Sequence, residues 1–184
     1  RAQVGFLSHD LQLYPELSAR ENLEFFAGLY GLDRPAERVV EALSSAGLAD
    51  RADDVVEGFS RGMCQRLALE RALLHSPRLL LFDEPFTGLD PISKGVIAQL
   101  IRELNDVLGV TSVVVTQDVM EGLSIADHVI VFAEGQIAEE GSAQQVAVST
   151  QPQVRQFLDA KPDGPVPFHY PAPDYQDDLL GKYQ

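Results

Sequence analysis

Positive charge is scarce in this sequence. Fourteen lysines and arginines stand against 28 aspartates and glutamates in 184 residues, a formal net charge of −14. Proteins that track nucleic acid need a basic face to displace counterions, and this composition argues against that class. Cysteine is nearly absent: Cys64 stands alone, so no internal disulfide can form and the composition fits a reducing compartment. Long apolar runs are missing as well. Stretches such as Leu79–Phe82 fall far below the roughly 18 residues that cross a bilayer, and no signal-like start is seen, so a role at a membrane would run through a partner. Methionine occurs only at 63 and 120, so the chain opens at Arg1 without an initiator and reads as an excised or truncated piece. What remains is ordinary for a globular chain: 45% hydrophobic and 23% charged residues, with the length of one domain.

Local signals place the elements. Val4-Gly5-Phe6-Leu7 is strand-like, and Ser18 with Glu21 forms a capping box that opens a helix over 19–30. A second helix follows Pro35, with Val39, Val40, Leu43 and Ala46 on one face, and stops near Gly47. A third covers about 61–75 before Pro77. Leu79–Phe82 is a buried-strand candidate ending in Asp83. Asp90-Pro91 supplies an N-cap and a proline at the first helical position of an amphipathic helix closed by Gly109. Strands at 110–116, 129–133 and about 136–139 follow, with short helices near 119–126, after Ser142, and over 153–159. The helix and strand alternation over 61–140 predicts a parallel α/β sheet. From Lys161 onward the texture changes, since five of the eleven prolines fall there beside Phe168, Tyr170 and Tyr175, an extended tail with aromatic anchors.

The chemistry concentrates after the strand Leu79–Asp83. An aspartate and then a glutamate at the carboxyl end of a hydrophobic strand suit nucleotide hydrolysis: Asp83 for Mg²⁺, directly or through water, and Glu84 to polarise an attacking water. Upstream, Ser60-Arg61-Gly62-Met63-Cys64-Gln65 opens a helix whose free N–H groups favour a phosphate. Downstream lies Thr87-Gly88-Leu89-Asp90. Cys64 reads as a small buried side chain rather than a redox centre. His75, His128 and His169 show no paired metal-ligand spacing and read as structural or surface residues.

In order and spacing these segments resemble the ATP-binding subunits of ABC transporters, as signature motif (Ser60 to Gln65), Walker B (Leu79 to Asp83), catalytic glutamate (Glu84) and D-loop (Thr87 to Asp90). The resemblance implies a head-to-tail dimer that sandwiches ATP. Ser60, Gly62 and Gln65 would serve the nucleotide in trans, with Asp90 beside it, while Asp83 and Glu84 act in cis. Two positions depart from the family. His9 stands at the Q-loop glutamine, with Gln12 three residues later, and is a candidate for sensing Mg²⁺. Gln117 stands at the switch histidine; it can donate a hydrogen bond to a γ-phosphate but cannot become cationic, so hydrolysis is expected to be slower if the histidine is needed. Lysine occurs only at 94, 161 and 182, so the run Gly-x-x-x-x-Gly-Lys-Ser/Thr is not spelled out. The expectation is therefore an α/β P-loop NTPase (ABC ATPase) fold lacking its N-terminal Walker A portion, with a helical subdomain and an extended C-terminal tail, an ATPase by family but inactive alone.

The resemblance divides the chain into a Q-loop strand region (1–15), a helical subdomain (16–60), a signature helix and RecA-like core (61–160) and the tail (161–184). Residues 1–90 look like ATPases of haem exporters of cytochrome c maturation and of ABC-2 type exporters. Residues 91–180 look like the ATPase of the Mla phospholipid transporters, through Leu123–His128, Gly141–Gln144, Val154–Asp159 and the tail Asp163–Pro171. This change of relative leaves open a join near Asp90-Pro91. The implied function is an ATPase driving phospholipid transport with ATP and Mg²⁺, peripheral on the cytoplasmic face of the inner membrane. Implied partners are a permease, a second ATPase subunit and, through Phe168, Tyr170 and Tyr175, a STAS-domain protein, with no nucleic acid. A haem or ABC-2 type exporter ATPase and a non-hydrolysing scaffold are the alternatives.

Overall fold

Leucine and phenylalanine at four successive positions, 79 to 82, cannot stay in water, and the structure places them at the centre of a sheet. A computed structural model describes residues 3–8, 10–162 and 164–166. It divides into two compact units, Arg1–Ile125 and Ala126–Gln184.

In the first unit β2 (Leu79–Asp83) lies between β1 (Val4–Leu7) and β3 (Thr111–Val115), all parallel. Leu7 pairs with Phe82, and Asp83 pairs with Val115. Leu80 and Phe82 are buried with Phe86, against Ala68 and Leu69 of α3 (Arg61–Leu73) and Ile97, Ala98 and Ile101 of α4 (Pro91–Leu108). Such a continuous apolar run is the signature of a parallel strand covered on both faces. Gly5 is fixed by close approach: a Cβ there would lie 2.6 Å from the Ala72 carbonyl oxygen and 2.7 Å from Leu80 Cδ2.

A second core lies under α1 (Ala19–Tyr30) and α2 (Pro35–Ser45), where Leu23 and Ala27 meet Val39, Ala42 and Leu43 together with Leu67 and Leu74. The predicted capping box is present, with the Glu21 N–H donating to Ser18 Oγ and the Ser18 N–H to the Glu21 carboxylate. Gly31, left-handed at φ 60°, ends α1. Two single 3₁₀ turns, Ala49–Arg51 and Val56–Gly58, lead to α3. Asn22 is fully buried; its amide donates to the Tyr14 and Ser18 carbonyls and its oxygen accepts the Tyr14 N–H at 2.8 Å, which ties down the approach to α1. The third helix ends at Leu73, two residues before the expected His75. The short helix α5 (Val119–Ile125) closes the unit.

The second unit corrects the expectation of a parallel sheet through residue 140. Strands β4 (Val129–Ala133) and β5 (Gln136–Gly141) pair antiparallel. Glu134 and Gly135, at φ 51° and 72°, form the two-residue turn between them. Parallel neighbours would need a crossover of a dozen residues or more, and two positive-φ residues match a hairpin turn instead. Helices α6 (Ala143–Ala147), opened by a Ser142–Gln145 capping box, and α7 (Pro152–Leu158) bury Val146 and Val154. The Gln156 amide accepts the Val166 N–H at 2.8 Å and donates to the Val166 carbonyl at 2.9 Å, acting as a surrogate strand for that segment. The aromatic anchors expected at Phe168, Tyr170 and Tyr175 lie outside the described residues.

Two predictions follow from this packing. Gly5→Ala forces β1 away from α3 and is expected to lower stability by about 1–3 kcal/mol, read as a fall in the urea midpoint of the full chain. Burial raises the Glu70 carboxyl from its ordinary 4.5 to about 7. Its contribution to stability is complete below pH 4.5 and is lost as pH rises through 7. Relative to the wild type, Glu70→Gln should therefore gain stability between pH 5 and pH 8, measured by denaturant midpoints at both values.

Candidate nucleotide site at the strand ends

In a parallel sheet the carboxyl ends of the strands open onto the ligand side, and this chain gathers its carboxylates there. Asp83 ends β2 with its side chain exposed. Glu84 follows in the left-handed region at φ 52°, a conformation that costs a non-glycine residue about 1–2 kcal/mol. Its N–H donates to the Val115 carbonyl at 2.8 Å, extending the β2–β3 ladder by one bond past Asp83. The carboxylate accepts the Thr87 hydroxyl at 3.2 Å and the Gln117 N–H at 3.4 Å. Asp83, Glu84 and Gln117 are thus brought together, and the Gln117 contact uses its backbone, leaving the side-chain amide for other work.

The signature helix reaches this turn by two routes. Gln65 is buried and donates to the Pro85 carbonyl at 2.9 Å, so it braces α3 against the Glu84-Pro85 turn. Gly88, at φ 71°, lies under the Arg61 guanidinium, where a Cβ would stand 2.7 Å from Arg61 Cζ. Ser60 caps α3, its hydroxyl accepting the Met63 N–H at 3.3 Å, and is exposed; the space beside Gly62 is open. Asp90 caps α4 by accepting the Ile92 and Ser93 N–H groups, both at 3.0 Å. Its hydrogen bonds with Ser93 hold its carboxyl below the ordinary range.

Sequence reasoning missed the ion pair between Lys94 on α4 and Asp118, the residue after Gln117, which raises the Lys94 amine. It also missed the seat of Arg61 on Gly88. Both join residues more than 20 positions apart, and no local pattern marks either. His9 lies outside the described residues. Cys64 is half-buried and its thiol is raised by that burial, as suits a packing residue. His75 lies against the Tyr30 ring, with Nε2 at 3.1 Å from the Val4 carbonyl.

Among the described residues no group of three or more His, Cys, Asp or Glu could hold a metal ion by itself. Mg²⁺ that arrives with a nucleotide needs no such group, because it is commonly held by one or two carboxylates plus substrate phosphates. Asp83, exposed at the end of β2, could serve as such a carboxylate.

Comparison with known proteins accounts for these segments. The ABC transporter family model matches residues 1–87, from β1 through α1, α2 and α3 to the turn after Glu84. This match overturns the expectation of an ABC ATPase fold lacking its N-terminal Walker A portion, and with it the expectation of a chain inactive alone. The N-terminal half carries the family match from its first residue, and β1 is an integral strand beside Walker B.

Over 180 residues the chain is 52% identical to the intermembrane phospholipid transport system ATP-binding protein MlaF of Escherichia coli (strain K12), an overlap of 97% of this chain and 65% of that protein. The chain thus spans just under two thirds of that relative's length. It is 41% identical over 185 residues to MlaF of Haemophilus influenzae, covering 98% of this chain and 69% of the relative. It is 36% identical over 145 residues to the linearmycin resistance ATP-binding protein LnrL of Bacillus subtilis (strain 168), covering 77% and 46%. The overlap with MlaF covers both sides of Asp90-Pro91. A strand-end Asp-Glu pair braced by the signature helix, together with relatives aligned along almost the whole chain, has one reading: the chain belongs to the ATP-binding proteins of ABC transporters.

Proposed function

We propose that this chain is the ATP-binding and ATP-hydrolysing subunit of a transporter that moves phospholipid, peripheral on the cytoplasmic face of the inner membrane. The observation that carries the hydrolytic reading is Glu84, held one residue past Asp83 by the Val115 carbonyl, the Thr87 hydroxyl and the Gln117 N–H. The phospholipid reading draws its support from the similarity to MlaF, whose name describes an intermembrane phospholipid transport system.

In this reading Asp83 would hold Mg²⁺, directly or through water, and the ion would supply neutralisation of charge on the phosphates. Glu84 takes a proton from the attacking water, its second oxygen steadied by Thr87. The Gln117 side-chain amide donates to the γ-phosphate oxygens as charge builds on them. Two copies face head to tail, so that Ser60 and Gly62 of one close on the phosphate held by the other, where free N–H groups at the start of α3 favour negative charge. Gln65 and Asp90 serve this arrangement by fixing the Pro85 turn and the start of α4.

The helical segment 16–60 supplies the permease-facing surface. Tyr14, Phe25 and Leu29 are 44%, 42% and 66% exposed. The Tyr14 and Phe25 rings meet edge-on at 5.1 Å, and Phe25 meets Phe26 at 5.3 Å. A continuous apolar ridge of this kind suits a short amphipathic helix of a membrane partner. The tail residues Phe168, Tyr170 and Tyr175 are proposed to seat a small STAS-domain partner.

Glu84→Gln in the assembled transporter should retain ATP binding and lose at least about 100-fold in kcat, measured by phosphate release; lipid transport that continues unchanged would instead make the subunit a non-hydrolysing scaffold. Gln117→Ala should lower kcat by about 100-fold, because a donor to the developing phosphate charge is lost, whereas Gln117→His should match or exceed the wild type. Single-turnover hydrolysis reads both.

A further inference from the structure

Arg71, in the last turn of α3, is 3% exposed, yet it is a cation. Its Nη1 donates to Gln12 Oε1 at 3.1 Å and its Nη2 to the Phe6 carbonyl at 2.9 Å. The guanidinium lies 4.9 Å from the centre of the Phe26 ring. Its Nε is buried without a hydrogen-bond partner among the described residues. Burying a charge costs several kcal/mol, and a well-packed apolar side chain of similar volume would serve a merely structural role as well or better. The cation therefore has to be explained by what it holds.

It holds three separate elements. Phe6 belongs to β1, one residue before its carboxyl end, beside the strand that delivers Asp83 and Glu84. Gln12 belongs to the loop that leaves β1 and is itself strained, at φ 51°, with its N–H donating to the Asp10 carboxylate at 3.2 Å. Phe26 belongs to α1, and its ring contacts Phe25, Tyr14 and Tyr30, which lead onto the exposed ridge. Two residues beyond Gln12 the same loop reaches Tyr14, whose N–H is bonded to Asn22. One buried guanidinium thus fastens the strand end, a strained loop and the inner side of the aromatic ridge to a single point on the signature helix.

We propose that Arg71 is a positioning residue that locks the loop Asp10–Tyr14 onto the aromatic face of α1, so that the rate at the strand ends answers to occupancy of the ridge. The second half of this statement rests on the function proposed above; the first half stands on the geometry alone.

The test has two arms. Hydrogen exchange on the full chain should show the Gln12 and Tyr14 amides exchanging at least about tenfold faster in Arg71→Gln, with protection in α1 and β2 retained. In the transporter complex, the ratio of permease-stimulated to basal ATP turnover should fall at least about fivefold in Arg71→Gln and be partly restored in Arg71→Lys, which keeps the charge but loses the fork. Should Arg71→Gln fail to fold, Gln12→Ala, an exposed change that removes one of the hydrogen bonds, must speed exchange in the loop and lower the ratio in the same direction. Unchanged loop exchange in the folded variants overturns the proposal, and so does faster exchange with an unaltered ratio. A wild-type complex that hydrolyses no ATP would overturn the proposed function and the second half with it, while the exchange arm still decides whether Arg71 locks the loop.

Discussion

The Glu84 N–H to Val115 carbonyl bond prolongs the central ladder one step beyond the last strand residue, and much of the site depends on that step. It turns the chain into the left-handed region at Glu84, which swings the carboxylate toward the Gln117 N–H at the end of the neighbouring strand. It also directs Pro85 so that its carbonyl meets the buried Gln65 amide. The strand below can stay straight because both its edges are paired and its side chains are covered by α3 and α4. The site is therefore held by hydrogen bonds at Glu84, while Ser60 is exposed and the space beside Gly62 is open.

Much of this was legible in the sequence wherever the signal was local. The Ser18–Glu21 capping box marked the start of α1, and Asp90-Pro91 with the closing glycine Gly109 marked both ends of α4, because each satisfies free helix-end groups within one turn. The run Leu79–Phe82 was readable as a buried-strand candidate because a short, continuous apolar run suits a parallel strand covered on both faces. The antiparallel pairing of β4 and β5 was not anticipated, although Glu134-Gly135 carries the information: alternation of elements was given more weight than the length of the turn.

The site was legible in its residue types and not in its contacts. Asp83 and Glu84 announce themselves by position, whereas Gln65 bracing Pro85, Lys94 pairing with Asp118 and Arg61 covering Gly88 each span 20 positions or more and depend on how helices pack. Arg71 passed unnoticed for the same reason. In the sequence it is one arginine in a helix that ends beneath Pro77, and only the tertiary structure shows that its guanidinium is enclosed. The Walker A expectation failed differently, by treating one spelled-out motif as the criterion for a fold that the rest of the N-terminal half already satisfies.

The register of the central sheet bears on the order of assembly. Val4 finds its partner in Leu79, and Leu79 finds its other neighbour in Thr111. A ribosome releasing the chain from its amino end therefore delivers β1 long before either strand that can shelter it, while α1 and α2, built on contacts between near neighbours, can close first. Until Leu79–Asp83 emerges, Phe6 and Leu7 lack the β2 partners they have in the folded sheet. Pairing of β1 with β2 and of β2 with β3 therefore waits on the middle strand, and α3, which precedes that strand in the chain, supplies part of the apolar surface that covers it.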